Sequence, residues 1–403
     1  MTPRRLHYLA DVRLPTEKAH GWQIVKMCEA FAAAGPRVEL WTPRRRQENP
    51  GLRTATAFDY YGVERTFEHR RLPNVDLVAL EPRLPGAVAR SAILLNAAAW
   101  AASAVRRARR DGAELIYTRD LGVAYWAGRA GLRCVFEAHA LPGRRSQRVW
   151  RKIAASPIRI VALTPFIAAA FSDLGVEEDR LTVEGDAVDP APFGGLSKAD
   201  ARARLGLEVG ARWVGYAGRF QRFHEERGLP ELISALASVA PSHPDVRLLA
   251  VGGPMDRVPS YRSIAAEHGL DPDRVRFVDR VPNADVPTWL AAFDVAVMPG
   301  RRTQHFAYET SPLKLFEYLA AGLPVVAIDL PSMRLVLRDG ENALLADPDD
   351  PAALPGAISR LLSDPALAEC LAERGRRDVE GMTWAARAER ILRFAHVGTG
   401  VTA

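Results

Sequence analysis

The chain has 403 residues, of which 48% are hydrophobic and 25% are charged, and its formal net charge is +6. This length is more than one hydrophobic core usually serves, so it predicts two domains, and the composition is ordinary for a soluble globular protein. The three cysteines are scattered and form no C-x-x-C, which is typical of buried thiols and not of a disulfide framework or a metal site.

Charge is distributed unevenly along the chain. Residues 1–190 carry 29 Lys and Arg against 21 Asp and Glu, whereas the remaining residues carry 25 against 27. A basic first half favours an anionic lipid surface or a phosphate-bearing acceptor, and without a nucleic-acid motif it does not favour nucleic acid. Residues 1–5 lead straight into a strand without a secretory signal, so we expect a cytoplasmic protein, either free or peripheral at the inner face of the membrane.

The first half of the chain alternates short apolar strands with helical segments, the pattern of an α/β domain. A helix is predicted over 20–34. An apolar helix over 91–105 is followed by four arginines, Arg106, Arg107, Arg109 and Arg110. We expect either a packed helix with a solvated basic end or a surface helix that contacts anionic membrane. The predicted strands are 6–10, 38–42, 115–118, 134–137, 158–163 and 182–185.

The second half repeats the alternation and predicts a second Rossmann-like domain. Its predicted strands are 213–217, 247–252, 275–278, 295–298 and 325–328. Its predicted helices are 229–240, 285–292, one that begins at Pro312, a long one over 351–376, and 384–395. We therefore divide the chain into an N-terminal domain over 1–190, a C-terminal domain over 191–382 and a C-terminal helix in 383–403.

One stretch, YETSPLKLFEYLAAGLPVVA from residue 308, places the carboxylates Glu309 and Glu317 eight positions apart. Ser311 is predicted as a helix N-cap and Pro312 as the first helical residue. The N–H groups of a helix start and its positive dipole end suit a phosphate. The pattern is compatible with a sugar diphosphate, with Glu309 on the sugar, the backbone of Ser311 to Leu313 on the diphosphate and Glu317 on the ribose. An ordinary capped helix with two solvated glutamates would explain the same spacing.

This stretch resembles the E-x7-E donor-site signature of the retaining glycosyltransferases of family four, and the similarity extends over nearly the whole chain. The resemblance implies the GT-B fold, an α/β architecture with two Rossmann-like domains facing across a cleft and a C-terminal helix that crosses back to the first domain. It also implies sugar transfer from a UDP- or GDP-type nucleotide sugar, with no metal and no cofactor besides this donor substrate.

The same resemblance gives roles to residues at other strand ends. Gly218 and Arg219 follow a strand, and Arg227 stands where the family has lysine in a G-R…K-G pattern, with the spacing stretched by about three residues. Gly218 is expected to let the ligand approach the backbone, and the two arginines are expected to bind the diphosphate. Val281 is expected to contact the nucleotide base through its backbone.

In the first half, His139 closes a strand at the edge where doubly wound sheets bind ligands. The resemblance implies that His139 contacts the transferred sugar. Glu137 is expected to point to the opposite face of the strand and to have another role.

Two further functions stay open from the sequence. A nucleotide-sugar 2-epimerase of the same fold would need acid/base carboxylates in the first domain, where the sequence shows no paired set. The second open function is that of a non-catalytic subunit of a glycosylation complex, which would bind a nucleotide sugar. The two D-x-D sequences, Asp271–Asp273 and Asp347–Asp349, have the composition of turns, so we predict no metal site. The acceptor is unknown, and the basic first half favours a lipid-linked one.

Overall fold

A computed structural model describes residues 3–47, 49–77, 86–143, 146–222 and 225–396, without the side chains of 87, 90, 222 and 225. Contacts divide the chain into one unit made of Met1–Gly185 and Trp384–Ala403 and a second made of Asp186–Thr383. The first segment ends at Gly185, five residues before the predicted boundary at 190. The second unit ends at Thr383, one residue after the predicted boundary at 382. Residues 223 and 224, in the stretched segment before Arg227, lie outside the described residues.

The first unit is built on one parallel sheet. Its strands are β1 Arg5–Leu9, β2 Arg37–Pro43, β3 Glu68–Leu72, β4 Leu115–Thr118, β5 Cys134–Ala138, β6 Arg159–Ala162 and β7 Leu181–Val183. They lie in the order β3-β2-β1-β4-β5-β6-β7, and Leu6 of β1 pairs with Val38 on one side and Leu115 on the other. The strand order reverses at β1, so residues that follow β1 and β4 meet at the topological switch point.

Helices flank this sheet: α1 Ala19–Ala33, α2 Ala57–Tyr61, α3 Gly86–Arg110, α4 Leu121–Arg129, α5 Gln147–Ala154 and α6 Pro165–Ser172. The sequence predicts α1, and it predicts part of α3, which is longer than expected. β3 has the polar sequence EHRRL and therefore no apolar pattern to reveal it.

The long helix α3 buries only one face. Trp100, Ala104 and Ala108 lie in the core of the first unit, whereas Leu94 and Leu95 are 71% and 68% exposed. Among the helices of the described residues, none is both long and apolar enough to cross a bilayer.

The second unit has a six-stranded parallel sheet and a short antiparallel pair. The strands are β8 Arg212–Ala217, β9 Gln221–Arg222, β10 Glu225–Glu226, β11 Val246–Val251, β12 Val275–Val278, β13 Val295–Met298, β14 Val325–Ile328 and β15 Leu344–Ala346. The larger sheet has the order β12-β11-β8-β13-β14-β15, while β9 pairs with β10. Its switch point lies between β8 and β13, which are adjacent and parallel.

The remaining helices are α7 Lys198–Leu205, α8 Leu229–Val239, α9 Val258–Glu267, α10 Val286–Ala291, α11 Leu313–Ala320, α12 Ala353–Ser363, α13 Pro365–Val379 and α14 Trp384–His396. The single helix predicted over 351–376 is wrong. Pro365 disfavours helical geometry at the preceding residue, and Asp364 is not helical and caps α13 by accepting a hydrogen bond from the Leu367 N–H at 2.9 Å. α14 belongs to the first unit.

Each unit is thus a Rossmann-like α/β domain, and this part of the fold prediction is confirmed. The predicted cleft between the domains stays a prediction.

Candidate functional site

The segment before α11 differs from the predicted helix start. His305–Glu309 form one turn of π-helix, and α11 begins at Leu313 with Pro312 as its N-cap. The prediction that Ser311 is the N-cap and Pro312 the first helical residue is therefore wrong. The Ser311 hydroxyl instead accepts a hydrogen bond from the Asp186 N–H at 2.8 Å. Pro312 has no N–H, so of the three residues expected to donate to a diphosphate only Ser311 and Leu313 carry the donor.

Both glutamates of the motif are partly buried. The Glu309 side chain is 14% exposed, and its Oε2 lies 3.1 Å from Nδ1 of His305, which the sequence did not single out. Glu317 is half-buried in α11. Burial raises the pKa of Glu317 to about 7, opposed by the charge of Lys314. Two freely solvated glutamates therefore do not describe this segment.

The end of β8 is joined to α11 by hydrogen bonds. Tyr318 of α11 is buried, and its hydroxyl accepts a hydrogen bond from the Ala217 N–H at 2.7 Å. Lys314 of α11 donates from Nζ to the Tyr216 hydroxyl at 2.9 Å, and Nζ lies 4.1 Å from the centroid of the Tyr216 ring. These contacts hold the first turn of α11 beside the carboxyl end of β8.

Gly218 makes this close approach sterically allowed. Its φ is +150°, and a Cβ built there would lie 2.7 Å from Lys314 Nζ. A side chain at this position would displace the lysine, so the structure gives a physical reason for glycine after β8.

The two candidate arginines are placed differently. The Arg227 guanidinium lies 4.4 Å from the ring centroid of Phe306, and Arg227 is half-buried. Arg219 is exposed, and its carbonyl accepts a hydrogen bond from the Tyr216 hydroxyl at 2.6 Å. Of the two side chains, that of Arg227 lies closer to the buried part of the site. Val281 is half-buried and packs against the hydrophobic core of the unit, so its backbone, not its side chain, would be the group for a ligand.

His139 lies in the first unit, directly after β5. Its Nε2 is 2.7 Å from Oε1 of Glu137. The expectation that Glu137 points to the opposite face is wrong, because residues two apart on an extended strand share a face. Burial and then the charge of Arg119 lower the pKa of His139 to about 4, against the attraction of Glu137. The neutral imidazole donates from Nε2 to the carboxylate, which leaves Nδ1 as the acceptor.

Glu137 is the centre of a buried network. It accepts hydrogen bonds from the Tyr117 hydroxyl and from Nη2 of Arg387, the latter at 3.1 Å. Burial by itself would raise the pKa of Glu137, but Arg387 and then His139 bring it well below the ordinary value. Arg387 lies on α14, so the C-terminal helix supplies the counter-charge of the carboxylate that orients His139.

Two aspartates meet at the switch point of the first unit. The Asp11 N–H donates to Oδ2 of Asp120 at 2.6 Å, and Arg45 donates to Oδ1 of Asp11 at 2.6 Å. Burial and then the charge of Asp11 raise the pKa of Asp120 to about 6. The sequence shows no paired carboxylates here because the two residues lie far apart along the chain.

One group of possible metal ligands occurs in the part of the chain that the structure describes, namely His7, Glu39 and Asp111. Arg5 donates to both carboxylates, at 3.3 Å to Glu39 and 2.6 Å to Asp111, and Arg70 lies 3.2 Å from Glu39. Guanidinium groups therefore already neutralise these carboxylates, and the group does not fit a cation. The absence of a metal site stays a prediction.

Comparison with known proteins identifies part of the chain. Residues 211–364 match the family model described as glycosyl transferases group 1. Over these residues the chain is similar to that family. The matched residues hold the second-unit site described above, from Gly218 to Glu317.

Sequence relatives point to the same family. The chain is 34% identical over 235 residues to the D-inositol 3-phosphate glycosyltransferase of Acidothermus cellulolyticus, covering 56% of this chain and 50% of the relative. It is 31% identical over 256 residues to that of Thermomonospora curvata, covering 60% of this chain and 57% of the relative. The chain thus spans about half the length of the curated relatives it matches.

Solved structures match nearly the whole chain. Anabaena Alr3699/HepE in complex with UDP matches with a TM-score of 0.73 and 17% identity, covering 96% of this chain and 98% of that one. Sucrose-phosphate synthase from Thermosynechococcus elongatus matches with a TM-score of 0.70 and 22% identity, covering 97% and 98%. At these identities the likeness concerns the fold, and the GT-B prediction is confirmed.

The second unit gathers most of the predicted site residues at one edge of its sheet. Gly218, Arg227 and Glu317 surround Lys314, while Glu309 lies just before α11. Tyr216, His305, Lys314 and Tyr318 are the residues of this edge that sequence reasoning missed. Lys314 lies inside the motif, but its contact with the end of β8 is visible only in the folded structure.

Proposed function

We propose that the protein is a retaining, metal-independent glycosyltransferase that moves a sugar from a UDP- or GDP-type nucleotide sugar to an acceptor. One observation carries the proposal: at the switch-point edge of the second sheet, basic side chains and the start of α11 lie beside Gly218, with Glu309 just before the helix and Glu317 within it. This edge is where doubly wound sheets bind phosphate-bearing ligands. The UDP complex of a protein with the same fold supports the donor class.

Each predicted residue has a role in this proposal. The N–H groups of Ser311 and Leu313, together with Arg227, would stabilise the negative charge that develops on the departing diphosphate. Glu309 would position the sugar, and Glu317 would bind the ribose. Arg219, whose side chain is exposed, is a second candidate for the diphosphate.

The remaining roles come from the family resemblance. The backbone of Val281 would contact the base, and Nδ1 of His139 would contact the transferred sugar. Retention would proceed on one face of the sugar, with the leaving phosphate assisting deprotonation of the acceptor. The proposed reaction uses no metal ion, because arginine and the helix dipole would supply the positive charge.

The test is nucleoside diphosphate release from a panel of UDP- and GDP-sugars, with and without candidate acceptors and with EDTA. We expect release that depends on one donor and continues in EDTA, and a product that keeps the anomeric configuration of the donor. Complete loss of nucleoside diphosphate release in EDTA, reversed by Mn²⁺ or Mg²⁺, would overturn the metal-free mechanism. An inverted product would overturn retention.

The same panel separates the other two functions. A 2-epimerase would invert the sugar at C2, leave it attached to the nucleoside diphosphate and need no acceptor, and the pair Asp11 and Asp120 would be its acid/base candidates. A non-catalytic subunit would bind the nucleotide sugar and leave it intact. Neither function is favoured by the comparisons with known proteins.

We further propose a lipid-linked or membrane-proximal acceptor and peripheral binding of the first unit to the inner face of the membrane. The support is α3: Leu94 and Leu95 are largely exposed, and so are the four arginines that end the helix. Leu95 and Arg106 are about three helical turns apart and therefore share a side of the helix. Exposed leucines and arginines on one side of a helix suit the boundary of an anionic bilayer.

A further inference from the structure

Lys314 is held in an unusual place for a lysine. It lies in the first turn of α11, half-buried, with its Nζ folded back onto the end of β8. Nζ donates to the Tyr216 hydroxyl at 2.9 Å and lies 4.1 Å from the ring centroid. The missing side chain of Gly218 provides the space, since a Cβ there would be 2.7 Å from Nζ. The ammonium group is therefore positioned at the switch-point edge and not extended into solvent.

Two cations and one carboxylate lie close together around Lys314. Burial and then the nearby charge of Arg227 lower the pKa of Lys314 to about 7, with Glu317 opposing them. The groups that face the lysine come from three elements: Tyr216 from β8, Arg227 from the segment before α8 and Glu317 from α11 itself. Two cations brought together in a partly desolvated site repel each other, and an anion bound between them would relieve that repulsion.

We infer that Lys314 is a diphosphate-binding residue of the donor site, acting as the ammonium together with Arg227 and the N-terminus of α11. The inference rests on the proposed function. It identifies a basic residue that binds the diphosphate, which the stretched G-R…R-G segment alone does not determine. Arginine at position 227 replaces the lysine that the family resemblance leads one to expect, and Lys314 brings an ammonium group to the same strand end from a different helix.

A measurable consequence follows from the protonation state. At pH 8.0 the free site holds Lys314 mostly as the neutral amine, whereas the diphosphate requires the ammonium form. Binding should therefore take up protons, at most one per nucleotide from this lysine, because the pKa of Lys314 in the free site is lowered to about 7. Above pH 8 the diphosphate itself is fully ionised, so it does not supply this proton.

The experiment is isothermal titration calorimetry of the full chain with UDP and, in parallel, GDP, at pH 8.0 in HEPES and in Tris. The difference in heat between the two buffers gives the protons taken up. The wild type should take up protons, at most one per nucleotide from Lys314. The K314M variant keeps the apolar stem, and we expect it to lose this uptake and to bind at least about tenfold more weakly. The K314R variant carries a permanent charge and should bind with no proton uptake.

The matched control is K198M, which removes a lysine that is 48% exposed and paired with Asp294 in the same unit. It should leave both affinity and proton uptake unchanged. Circular dichroism compares the folding of all variants with that of the wild type. If K314M does not fold, the loss of proton uptake can still be tested with K314R.

The outcomes distinguish this inference from the proposed function. If the wild type binds UDP or GDP with no proton uptake, and K314M binds equally well, the role of Lys314 is refuted while the glycosyltransferase proposal stands. If the wild type binds neither nucleotide and turns over no nucleotide sugar, the proposed function fails and the inference fails with it. Uptake that persists in K314M would assign the proton to another group and overturn the role of Lys314.

Discussion

Replacement of Arg387 by methionine should destabilise the first unit strongly. Arg387 and Glu137 are 1% and 5% exposed, so the ion pair is almost fully removed from water. Breaking such a pair by removing one partner costs roughly 3–5 kcal/mol, because the remaining charge stays buried.

The pH dependence gives the prediction a second signature. In the wild type the pKa of Glu137 is lowered, so its stabilising contribution is present above the pKa of the unfolded chain and is lost as the pH falls through the folded value. Without Arg387, burial should raise the pKa of Glu137, and stability should then be lost as the pH rises. The difference between R387M and wild type should therefore shrink at acid pH, and E137Q should partly rescue R387M.

The local stability of the first unit can be measured by amide hydrogen exchange of β5 and α14, followed by mass spectrometry. This readout is needed because the chain has two units, which a global unfolding measurement would combine. R387M should reduce protection there roughly 10²–10⁴-fold at pH 7. The control is R393M on the same helix, whose arginine is 67% exposed and lies 3.5 Å from Glu389, which is 61% exposed. An exposed pair contributes at most about 1 kcal/mol, so R393M should change protection less than about fivefold. Equal effects of the two variants would refute the reasoning.

Three other predictions concern the site, a glycine and the membrane. E309Q should lower turnover about 10²-fold or more while nucleotide affinity changes little, and steady-state kinetics within about threefold of wild type would contradict the sugar role. G228A should lower the melting temperature clearly, because φ is +88° and a Cβ would lie 1.3 Å from the Pro299 oxygen, whereas G210A, with open space, should not; equal melting temperatures would refute this. Anionic vesicles should sediment the wild type at low salt and release it at high salt, and protein that stays in the supernatant would contradict membrane binding.

The sequence predicted the elements with strong apolar periodicity and failed where polar contacts or proline determine the structure. β8 and α1 are apolar enough to be recognised, whereas β3 is a polar edge strand that pairs with β2. The helix over 351–376 was predicted as one because its apolar spacing continues through the break at Pro365.

In the candidate site, the sequence could supply the residues near each other in the chain but not those joined by the fold. Glu309 and Glu317 share one motif, and Gly218 follows a recognisable strand. Lys314 and Tyr216 are 98 positions apart, and their hydrogen bond exists only because α11 lies beside β8. The Ser311 cap was wrong because its hydroxyl binds a distant N–H, that of Asp186, which no local rule includes.

The position of Arg387 has a consequence for synthesis on the ribosome. The second unit is continuous and ends at Thr383, so all of its residues have been made before α14 exists. The first unit begins the chain, yet the counter-charge for Glu137 arrives 250 residues later, with Arg387. Units usually fold in the order in which they emerge. Until Arg387 has been made, the first unit lacks the cation that pairs with Glu137, so the second unit can complete its fold before the first does.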